Sequence, residues 1–144
     1  MDIYALSRKE FHITTDVNQL QFDRIHAYLS RSYWCPGISL SMVKRAATHS
    51  LPFGLYKRKS QIGYARVVSD FTRIAYLADV YIEEAEKGKG LGKWLVESIL
   101  SHPELLEVGR WMLLTRDAHG LYEKFDFSAL LMPEMVMERV IDKR

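Results

Sequence analysis

The stretch Lys87-Gly88-Lys89-Gly90-Leu91-Gly92-Lys93 decides how the rest of the sequence is interpreted. A strand-like run ends near Ile82, just before the stretch, and a helical pattern of apolar residues begins inside it at Leu91. Backbone N–H groups at the start of a helix lack partners within the helix, and the helix dipole adds positive potential. Glycines let an anion approach this backbone closely, and lysines add charge. The stretch therefore predicts a diphosphate site, with a basic, solvated turn as the simpler alternative.

Two familiar phosphate-binding motifs do not fit these residues. A P-loop ends in Gly-Lys followed by Ser or Thr, whereas Gly92-Lys93 is followed by Trp94. A dinucleotide-binding fingerprint needs Gly-x-Gly-x-x-Gly, and its last glycine is missing whether the motif starts at Gly88 or at Gly90. Both motifs are therefore rejected.

The hydrophobic periodicity on both sides of the loop predicts a mixed α/β order of elements. In chain order they are a strand at 11–15, a helix over about 17–30 that Asp16 starts, a helix that Ser39 caps, a strand at 51–55, a hairpin of 62–68 and 74–82, a helix from Leu91 to near His102, a strand at 111–115, a short helix that Asp117 caps, and one or two strands within 127–141. No helix separates the three central strands. A purely parallel, doubly wound sheet is therefore excluded.

Length and composition fit one compact domain over residues 1–144. The chain is 48% hydrophobic and 26% charged, and its net charge of +2 does not suggest nucleic acid or an anionic membrane as a partner. The single cysteine, Cys35, excludes an internal disulfide and fits a reducing cytoplasm. The first ten residues are interrupted by charged side chains, so neither a signal peptide nor a membrane anchor is expected.

Residues 79–92 resemble the acetyl-CoA motif of the GNAT superfamily of N-acetyltransferases. That motif reads Arg/Gln-x-x-Gly-x-Gly/Ala after a strand, and here Lys87, Gly90 and Gly92 stand at its first, fourth and sixth positions. Residues 118–127, Ala-His-Gly-Leu-Tyr-Glu-Lys-Phe-Asp-Phe, resemble the family's second signature, Ala-x-x-Leu-Tyr-x-Lys-x-Gly-Phe. Lys87 keeps a hydrogen-bond donor where the family has Arg or Gln. Asp126 replaces the usual glycine, and Asp tolerates a left-handed backbone better than most residues.

The resemblance implies a GNAT fold: a mostly antiparallel sheet of six or seven strands with about four helices, splayed between its fourth and fifth strands. In this chain the fourth strand is the predicted strand that ends near Ile82, and the fifth is the predicted strand at 111–115. The co-substrate would be acetyl-CoA, with its pantetheine arm in the gap beside the backbone of Val80 and Ile82 and its pyrophosphate on the glycine-rich loop. The implied cofactor-binding residues are Val80, Tyr81, Ile82, Lys87, Gly88, Lys89, Gly90, Leu91, Gly92, Lys93, His119 and Tyr122.

Tyr122 falls on the family's usual general acid, which would protonate the departing CoA thiolate. A base is harder to assign. A lysine-like amine, with a pKa of about 10.4, costs about 4 kcal/mol to deprotonate near pH 7.4, whereas an α-amine with a pKa near 8 costs about 1 kcal/mol and needs only a water relay. Asp79 and Glu83 flank the site on the motif strand and are the candidate bases. Asp79 shares a predicted strand face with Ala75 and Leu77, and a purely structural aspartate is the alternative.

The predicted function is transfer of acetyl from acetyl-CoA to a primary amine of a small molecule or peptide, by direct attack in a ternary complex. The acceptor would contact Tyr33, Trp34, Arg66 and Tyr76. The alternatives are core packing for Trp34 and an ion pair with a carboxylate such as Asp70 for Arg66. A non-catalytic acyl-CoA sensor or interaction module stays open, as does a protein whose basic loop binds another nucleotide. No metal site is expected, because the histidines lack ligand-like spacing. A homodimer is left open.

Overall fold

The computed structural model describes residues 1–142, which form two compact units. The first unit spans Met1–Leu114, and the second begins at Thr115. One domain over 1–144 stays a prediction. None of the helices in the described part of the chain combines the length and the apolar character that a membrane crossing needs.

The first unit is built on one sheet whose six strands lie side by side in chain order. They are β1 (Ala5–Arg8), β2 (Phe11–Thr14), β3 (Leu51–Lys57), β4 (Ser60–Ser69), β5 (Ile74–Ile82) and β6 (Arg110–Leu113). Neighbours from β1 to β5 are antiparallel, whereas β6 joins β5 in parallel. The predicted mixed α/β, mostly antiparallel fold is confirmed.

The described residues form four α-helices in addition to the sheet. They are α1 (Phe22–Leu29), α2 (Leu40–Thr48) and α3 (Leu91–Leu100) in the first unit and α4 (His119–Glu123) in the second. The helix α3 lies in the crossover between β5 and β6, which a parallel strand pair requires. Ser39 caps α2 as predicted, because its Oγ accepts a hydrogen bond from the Met42 N–H at 3.2 Å.

The helix predicted over 17–30 is divided into a 3-10 turn, Val17–Gln19, and α1. Asp16 caps the turn, since its Oδ1 accepts from the Asn18 N–H at 3.0 Å. The break falls at Gln21, whose N–H donates to Gln61 Oε1 at 2.8 Å, while the Gln61 N–H donates to Gln21 Oε1 at 3.0 Å. This reciprocal pairing diverts the Gln21 amide from the helix, so α1 begins one residue later.

An apolar cluster holds α1 and α2 against the sheet. Ile25 and Leu29 of α1 and Val43 of α2 pack with Tyr64 and Tyr81, and all five side chains are buried. Tyr64 and Tyr81 are cross-strand partners in β4 and β5, so their rings lie on the same face. The three aliphatic side chains each contribute about 1.5–3 kcal/mol of apolar transfer free energy. The cluster therefore fixes the segment between α1 and α2 relative to the C-terminal half of β5.

The two ends of the chain differ from the predicted order. β1 is missing from it, because Ala5–Arg8 lacks apolar alternation and forms a largely exposed edge strand. The strands predicted within 127–141 are wrong, since that segment contains only the 3-10 turn Pro133–Met135. A strand needs a partner to satisfy its backbone, and the second unit contains no strand among its described residues.

The predicted cap of the last helix is also wrong. Ala118 rather than Asp117 occupies the capping position of α4. The turn before the helix is instead closed by Thr115, whose Oγ1 accepts from the Ala118 N–H at 3.0 Å. A Thr hydroxyl three residues earlier thus supplies the oxygen that the prediction assigned to the Asp117 carboxylate.

Candidate active site

The strands β5 and β6 pair along only part of their length. Their register runs from Ile74 opposite Arg110 to Leu77 opposite Leu113. Beyond Leu77 the backbone of β5 continues to Ile82, and no described residue of β6 pairs with it. The sheet therefore splays at the position predicted from the sequence, and the gap opens beside residues 78–82.

A β-bulge centred on Asp79 interrupts β5 at the start of this gap. Across the ladder Arg66 pairs with Ala78 and Tyr64 pairs with Tyr81, so Asp79 and Val80 together stand opposite Ala65. Asp79 has a φ of 56°, which lies in the left-handed region that few residues other than glycine adopt.

The bulge changes the face to which Asp79 belongs. Its carboxylate contacts Arg66, whose strand partner is Ala78, so it lies on the face of Ala78. The prediction that Asp79 shares a face with Ala75 and Leu77 is wrong, because strict alternation does not hold across the extra residue.

Asp79 joins two of the four residues predicted to contact the acceptor. Its Oδ2 accepts from Arg66 Nε at 2.6 Å, and its Oδ1 accepts from Trp34 Nε1 at 2.9 Å. The Asp79 side chain is only 10% exposed. Arg66 Nη1 also donates to Ser50 Oγ at 3.2 Å, and that hydroxyl donates to Ala46 O at 2.7 Å. The alternative that Arg66 pairs with a carboxylate is therefore confirmed, with Asp79 rather than Asp70 as its partner.

The Asp70 carboxylate closes its own turn instead. It accepts from the N–H groups of Thr72, Arg73 and Ile74 at 3.0, 2.8 and 3.1 Å. These bonds, that from Ile74 above all, hold the pKa of Asp70 well below its usual range.

The other two predicted acceptor residues lie near this network. The Tyr33 ring meets Trp34 edge-on, with centroids 5.1 Å apart, and both side chains are partly exposed. Tyr76 pairs with Val68 and therefore shares the strand face of Arg66, two residues earlier in β4. Burial raises the pKa of the Tyr76 hydroxyl, and the charges of Arg66 and Asp79 shift it by smaller amounts in opposite directions.

Glu83, the second candidate base, follows β5 directly and is held by α1. Its Oε2 lies 3.2 Å from Arg24 Nη2, and its N–H donates to Ile62 O at 2.8 Å. The Glu83 and Arg24 side chains are 28% and 37% exposed, so solvent reaches this pair more than it reaches Asp79. Arg24 was not singled out by any sequence pattern, because it is 59 residues away from its partner.

The glycine-rich loop leads into α3 through left-handed glycines. Gly88 and Gly90 have φ values of 82° and 76°, and a Cβ at either position would meet no atom within 4 Å. The first amide bonded within the helix is that of Trp94, which donates to Gly90 O at 3.1 Å. The earlier amides of α3 have no acceptor within the helix. Residues 88–93 therefore combine open space, glycines with positive φ values and helix-start amides.

Two of the three lysines of this loop are already paired with carboxylates. Lys87 Nζ lies 2.8 Å from Glu84 Oε1, and Lys89 Nζ lies 3.0 Å from Glu86 Oε2. Glu86 is buried and also accepts from Lys57 Nζ at 3.0 Å, and these hydrogen bonds, first that from Lys89, lower its pKa. Lys93 is exposed at the first turn of α3. The loop is thus less positive than its composition indicates.

The second unit contains Tyr122 and His119. Tyr122 is buried, and its ring packs against Phe127 with centroids 5.9 Å apart. His119 is the exposed first residue of α4. Asp126 has a φ of 68°, which confirms that it adopts the left-handed turn expected at the family's glycine position. The roles of Tyr122 and His119 stay predictions.

The first unit also contains a cavity of about 610 Å³. It is lined by the N-terminus, the turn after β2, the end of α2 and the adjoining ends of β3 and β4. None of the four predicted acceptor residues lines it. Ser50 does, and the same hydroxyl receives the bond from Arg66.

Comparison with known proteins matches both motif regions. The model of the acetyltransferase (GNAT) domain matches residues 49–129. A candidate acetyltransferase of Gibberella zeae is 30% identical, and the match covers 82% of this chain and 78% of that protein.

Two solved structures show how far the fold is shared. A candidate GNAT acetyltransferase of Xanthomonas campestris pv. campestris is 39% identical, with a TM-score of 0.88 over 91% of this chain and 93% of that one. A candidate acetyltransferase of Clostridium acetobutylicum, solved with acetyl-CoA, is 12% identical, with a TM-score of 0.63 over 97% of this chain and 96% of that one. The first likeness extends to sequence, and the second is one of fold alone. The splayed sheet, the glycine-rich helix start and these matches together establish that the chain belongs to the GNAT superfamily of acetyltransferases.

Proposed function

We propose that the protein transfers the acetyl group of acetyl-CoA to a primary amine by direct attack in a ternary complex. The observation that carries the proposal is the end of the β5–β6 pairing at Leu77, beyond which β5 continues without a partner in β6 to Ile82 and the chain enters the glycine-rich loop before α3. Strand backbone without a partner strand is suited to amide groups such as those of a pantetheine arm. A helix start behind left-handed glycines is suited to a diphosphate.

In this proposal acetyl-CoA occupies groups of the first unit that have room and hydrogen-bonding capacity for it. The backbone of Val80 and Ile82 receives the pantetheine arm, with Tyr81 between them. The amides from Gly88 to Lys93 receive the pyrophosphate, whereas that of Lys87 already donates to Glu84 O at 3.2 Å. Gly88 and Gly90 leave room for a diphosphate, because both have positive φ values and empty space where a side chain would stand.

The chemistry needs one proton to leave the amine and one to reach the thiolate. The amine nitrogen bonds to the acetyl carbon, the carbon–sulfur bond breaks, and Tyr122 is proposed as the donor to sulfur on the basis of the family signature. An acceptor with a pKa near 8 loses its proton readily to water. Of the two candidate bases, Glu83 is the more exposed and is kept in that role.

The acceptor is proposed to lie against Tyr33, Trp34, Arg66 and Tyr76. The first two form a partly exposed aromatic pair. Exposed aromatic faces are suited to the apolar part of a ligand. The charge of Arg66 is already compensated by the carboxylate of Asp79. It therefore does not select an acidic acceptor.

Calorimetry and a thiol-release assay together test the proposal. Acetyl-CoA and CoA are titrated first, and ATP serves as the competitor that would reveal a different nucleotide site. Thiol release is then followed with phenethylamine, spermidine, glucosamine 6-phosphate and a peptide with a free α-amine. We expect acetyl-CoA binding and amine-dependent release. ATP binding without CoA binding would overturn the proposal.

A non-catalytic acyl-CoA-binding module is the second candidate function. The observation that favours it is that both candidate bases, Asp79 and Glu83, are engaged by arginines. Tight acetyl-CoA binding with no release of thiol for any amine of the panel would identify this function. The two candidates thus differ in turnover and agree in binding.

A further inference from the structure

We propose that Asp79 is a positioning residue that fixes the acceptor-side loop through Trp34, and that it does not act as the base. The inference rests on the proposed function, because it assigns the Tyr33–Trp34 pair to the acceptor. Asp79 precedes Val80, whose backbone is proposed to meet the pantetheine arm. Asp79 would therefore set the distance between the Tyr33–Trp34 pair and the reacting thioester.

The carboxylate of Asp79 is committed on both oxygens. One accepts from Arg66 Nε and the other from Trp34 Nε1, and the side chain is nearly buried. A base must reach the proton that it removes at about 2.6–3.2 Å. Protonation of Asp79 would in addition remove the counter-charge of Arg66, which is only 22% exposed. The geometry thus suits a fixed anion better than a proton acceptor.

The Trp34 bond ties a surface loop to the sheet. Two backbone hydrogen bonds of the loop are local, since Gly37 N–H donates to Ser30 O at 2.9 Å and Ile38 N–H donates to Cys35 O at 3.2 Å, and the ring of His26 in α1 lies 2.9 Å from Ile38 O. The Trp34 indole instead reaches a residue 45 positions away in β5. Trp34 is 39% exposed, so apolar burial alone holds its ring incompletely. Loss of the Asp79 acceptor should therefore loosen the indole while the loop keeps its own turns.

The bulge allows the test variants to be matched to the backbone. Asp79 has a φ of 56°, a conformation that Asn and Gly adopt more readily than other residues. Asp79→Asn keeps the shape of the side chain and removes the charge, and Asp79→Gly removes the side chain without backbone strain. Trp34→Phe keeps a smaller aromatic ring and removes the indole N–H that meets Asp79. If one Asp79 variant fails to fold, the other and Trp34→Phe still decide the question.

Fluorescence tests the tether without any substrate. The fluorescence of Trp34 is obtained by subtracting the fluorescence of the matching protein that carries Trp34→Phe. The remaining signal of Trp94 and Trp111 is thereby removed, both in wild type and in each Asp79 variant. In Asp79→Gly we expect acrylamide to quench the Trp34 component more strongly than in the wild type, because the indole is released, and in Asp79→Asn we expect a smaller increase, because the amide oxygen can still accept from the indole. Unchanged quenching in both variants would overturn the proposal. This result does not depend on turnover, so it stays informative even if the proposed function fails.

Steady-state kinetics test how the hydrogen bond between Trp34 and Asp79 affects acceptor binding. The acceptor is the amine of the panel that is turned over fastest. Trp34→Phe, Asp79→Asn and Asp79→Gly should each raise the amine KM about tenfold, the effect of one lost hydrogen bond to a charged group. The acetyl-CoA KM and the acidic limb of the pH–rate profile should not move. Combining Trp34→Phe with Asp79→Gly should add nothing to either change alone.

The opposite kinetic result would assign Asp79 to proton transfer. A kcat of Asp79→Asn that falls by about a hundredfold or more, with loss of the acidic limb, is the behaviour of a base. Independent, multiplicative effects of Trp34→Phe and Asp79→Gly would show that the two residues do not act as a unit. Either outcome would overturn the proposal.

Discussion

Lys89 lies with its Nζ 3.0 Å from Oε2 of Glu86, and this ion pair joins the glycine-rich loop to the turn that follows β5. Lys57 of β3 contacts the same carboxylate at 3.0 Å, so two ammonium groups share one buried anion. A buried carboxylate is retained only when its charge is compensated. Glu86 therefore anchors the loop to β3, and part of the loop's positive charge serves its shape.

Glu86→Gln should lower the free energy of unfolding at pH 7, because the amide cannot compensate either lysine. The pKa of Glu86 is lower in the folded protein than in the unfolded chain, so its stabilisation is complete above the ordinary value of about 4.3 and is lost as the pH falls through the lowered value. Urea unfolding at several pH values measures this. Glu84→Gln is the control, because its pair with Lys87 is exposed and contributes little. Equal effects of the two variants would contradict the anchoring role.

Gly54→Ala should destabilise the sheet. A Cβ at position 54 would lie 2.7 Å from Cε1 of Tyr56, whose ring lies over the glycine and is buried. Moving the ring would also disturb its stacking on His12, where the centroids are 4.7 Å apart. Overpacking of this kind costs about 1–3 kcal/mol. Urea unfolding should show the loss, whereas Gly120→Ala, which meets nothing within 4 Å, should be neutral or slightly stabilising.

The elements that follow from local pattern were predictable, and those that depend on distant partners were not. The glycine-rich loop and α3 are set by adjacent residues, and so is the left-handed turn at Asp126. The bond between Trp34 and Asp79 joins residues 45 positions apart, and no spacing rule of a helix or a strand contains it. The bulge at Asp79 breaks the alternation on which its predicted face depended. Similarly, the hydrogen bond of the Gln21 amide to the Gln61 side chain of β4 interrupts the first predicted helix.

Gly90→Glu should weaken acetyl-CoA binding by about tenfold or more, the effect of losing at least one hydrogen bond to a charged group. The new carboxylate would stand in the space before the α3 amides and repel a diphosphate. It would also strain the left-handed backbone at position 90 by about 1–2 kcal/mol. Gly37→Glu is the matched control for that strain, since Gly37 has a φ of 75° and open space around it. Calorimetry that finds the same acetyl-CoA affinity in a folded Gly90→Glu variant and in wild type would remove the pyrophosphate from this loop.

Glu83→Gln should lower kcat by about a hundredfold or more and remove the acidic limb of the pH–rate profile, if Glu83 accepts the amine's proton as proposed. Arg24→Gln separates this role from simple support, because it breaks the same 3.2 Å pair but leaves the carboxylate in place. We expect Arg24→Gln to keep kcat within a fewfold of wild type. Similar losses in both variants would instead make the ion pair structural and leave the deprotonation of the amine to water.

Tyr122→Phe should reduce kcat by about a hundredfold with little change in acetyl-CoA affinity. A tyrosine's ordinary pKa of about 10 lies above the value of about 8.5 for a thiol, so complete proton transfer to the thiolate is uphill by roughly 2 kcal/mol. The hydroxyl is therefore expected to act mainly by a hydrogen bond that strengthens as charge develops on sulfur, at the lower end of the range for general acids. The buried ring keeps its packing on Phe127 in the variant, which protects binding and folding.

The leaving group provides a control for the Tyr122 prediction. Acetyl donors with more acidic thiols need less help to depart, so the loss in Tyr122→Phe should shrink as the thiol pKa falls. Stopped-flow measurement of the chemical step is required, because slow product release would conceal the effect. If the variant keeps the full rate of that step with every donor, Tyr122 supports the second unit through its ring alone and the proton reaches sulfur from water.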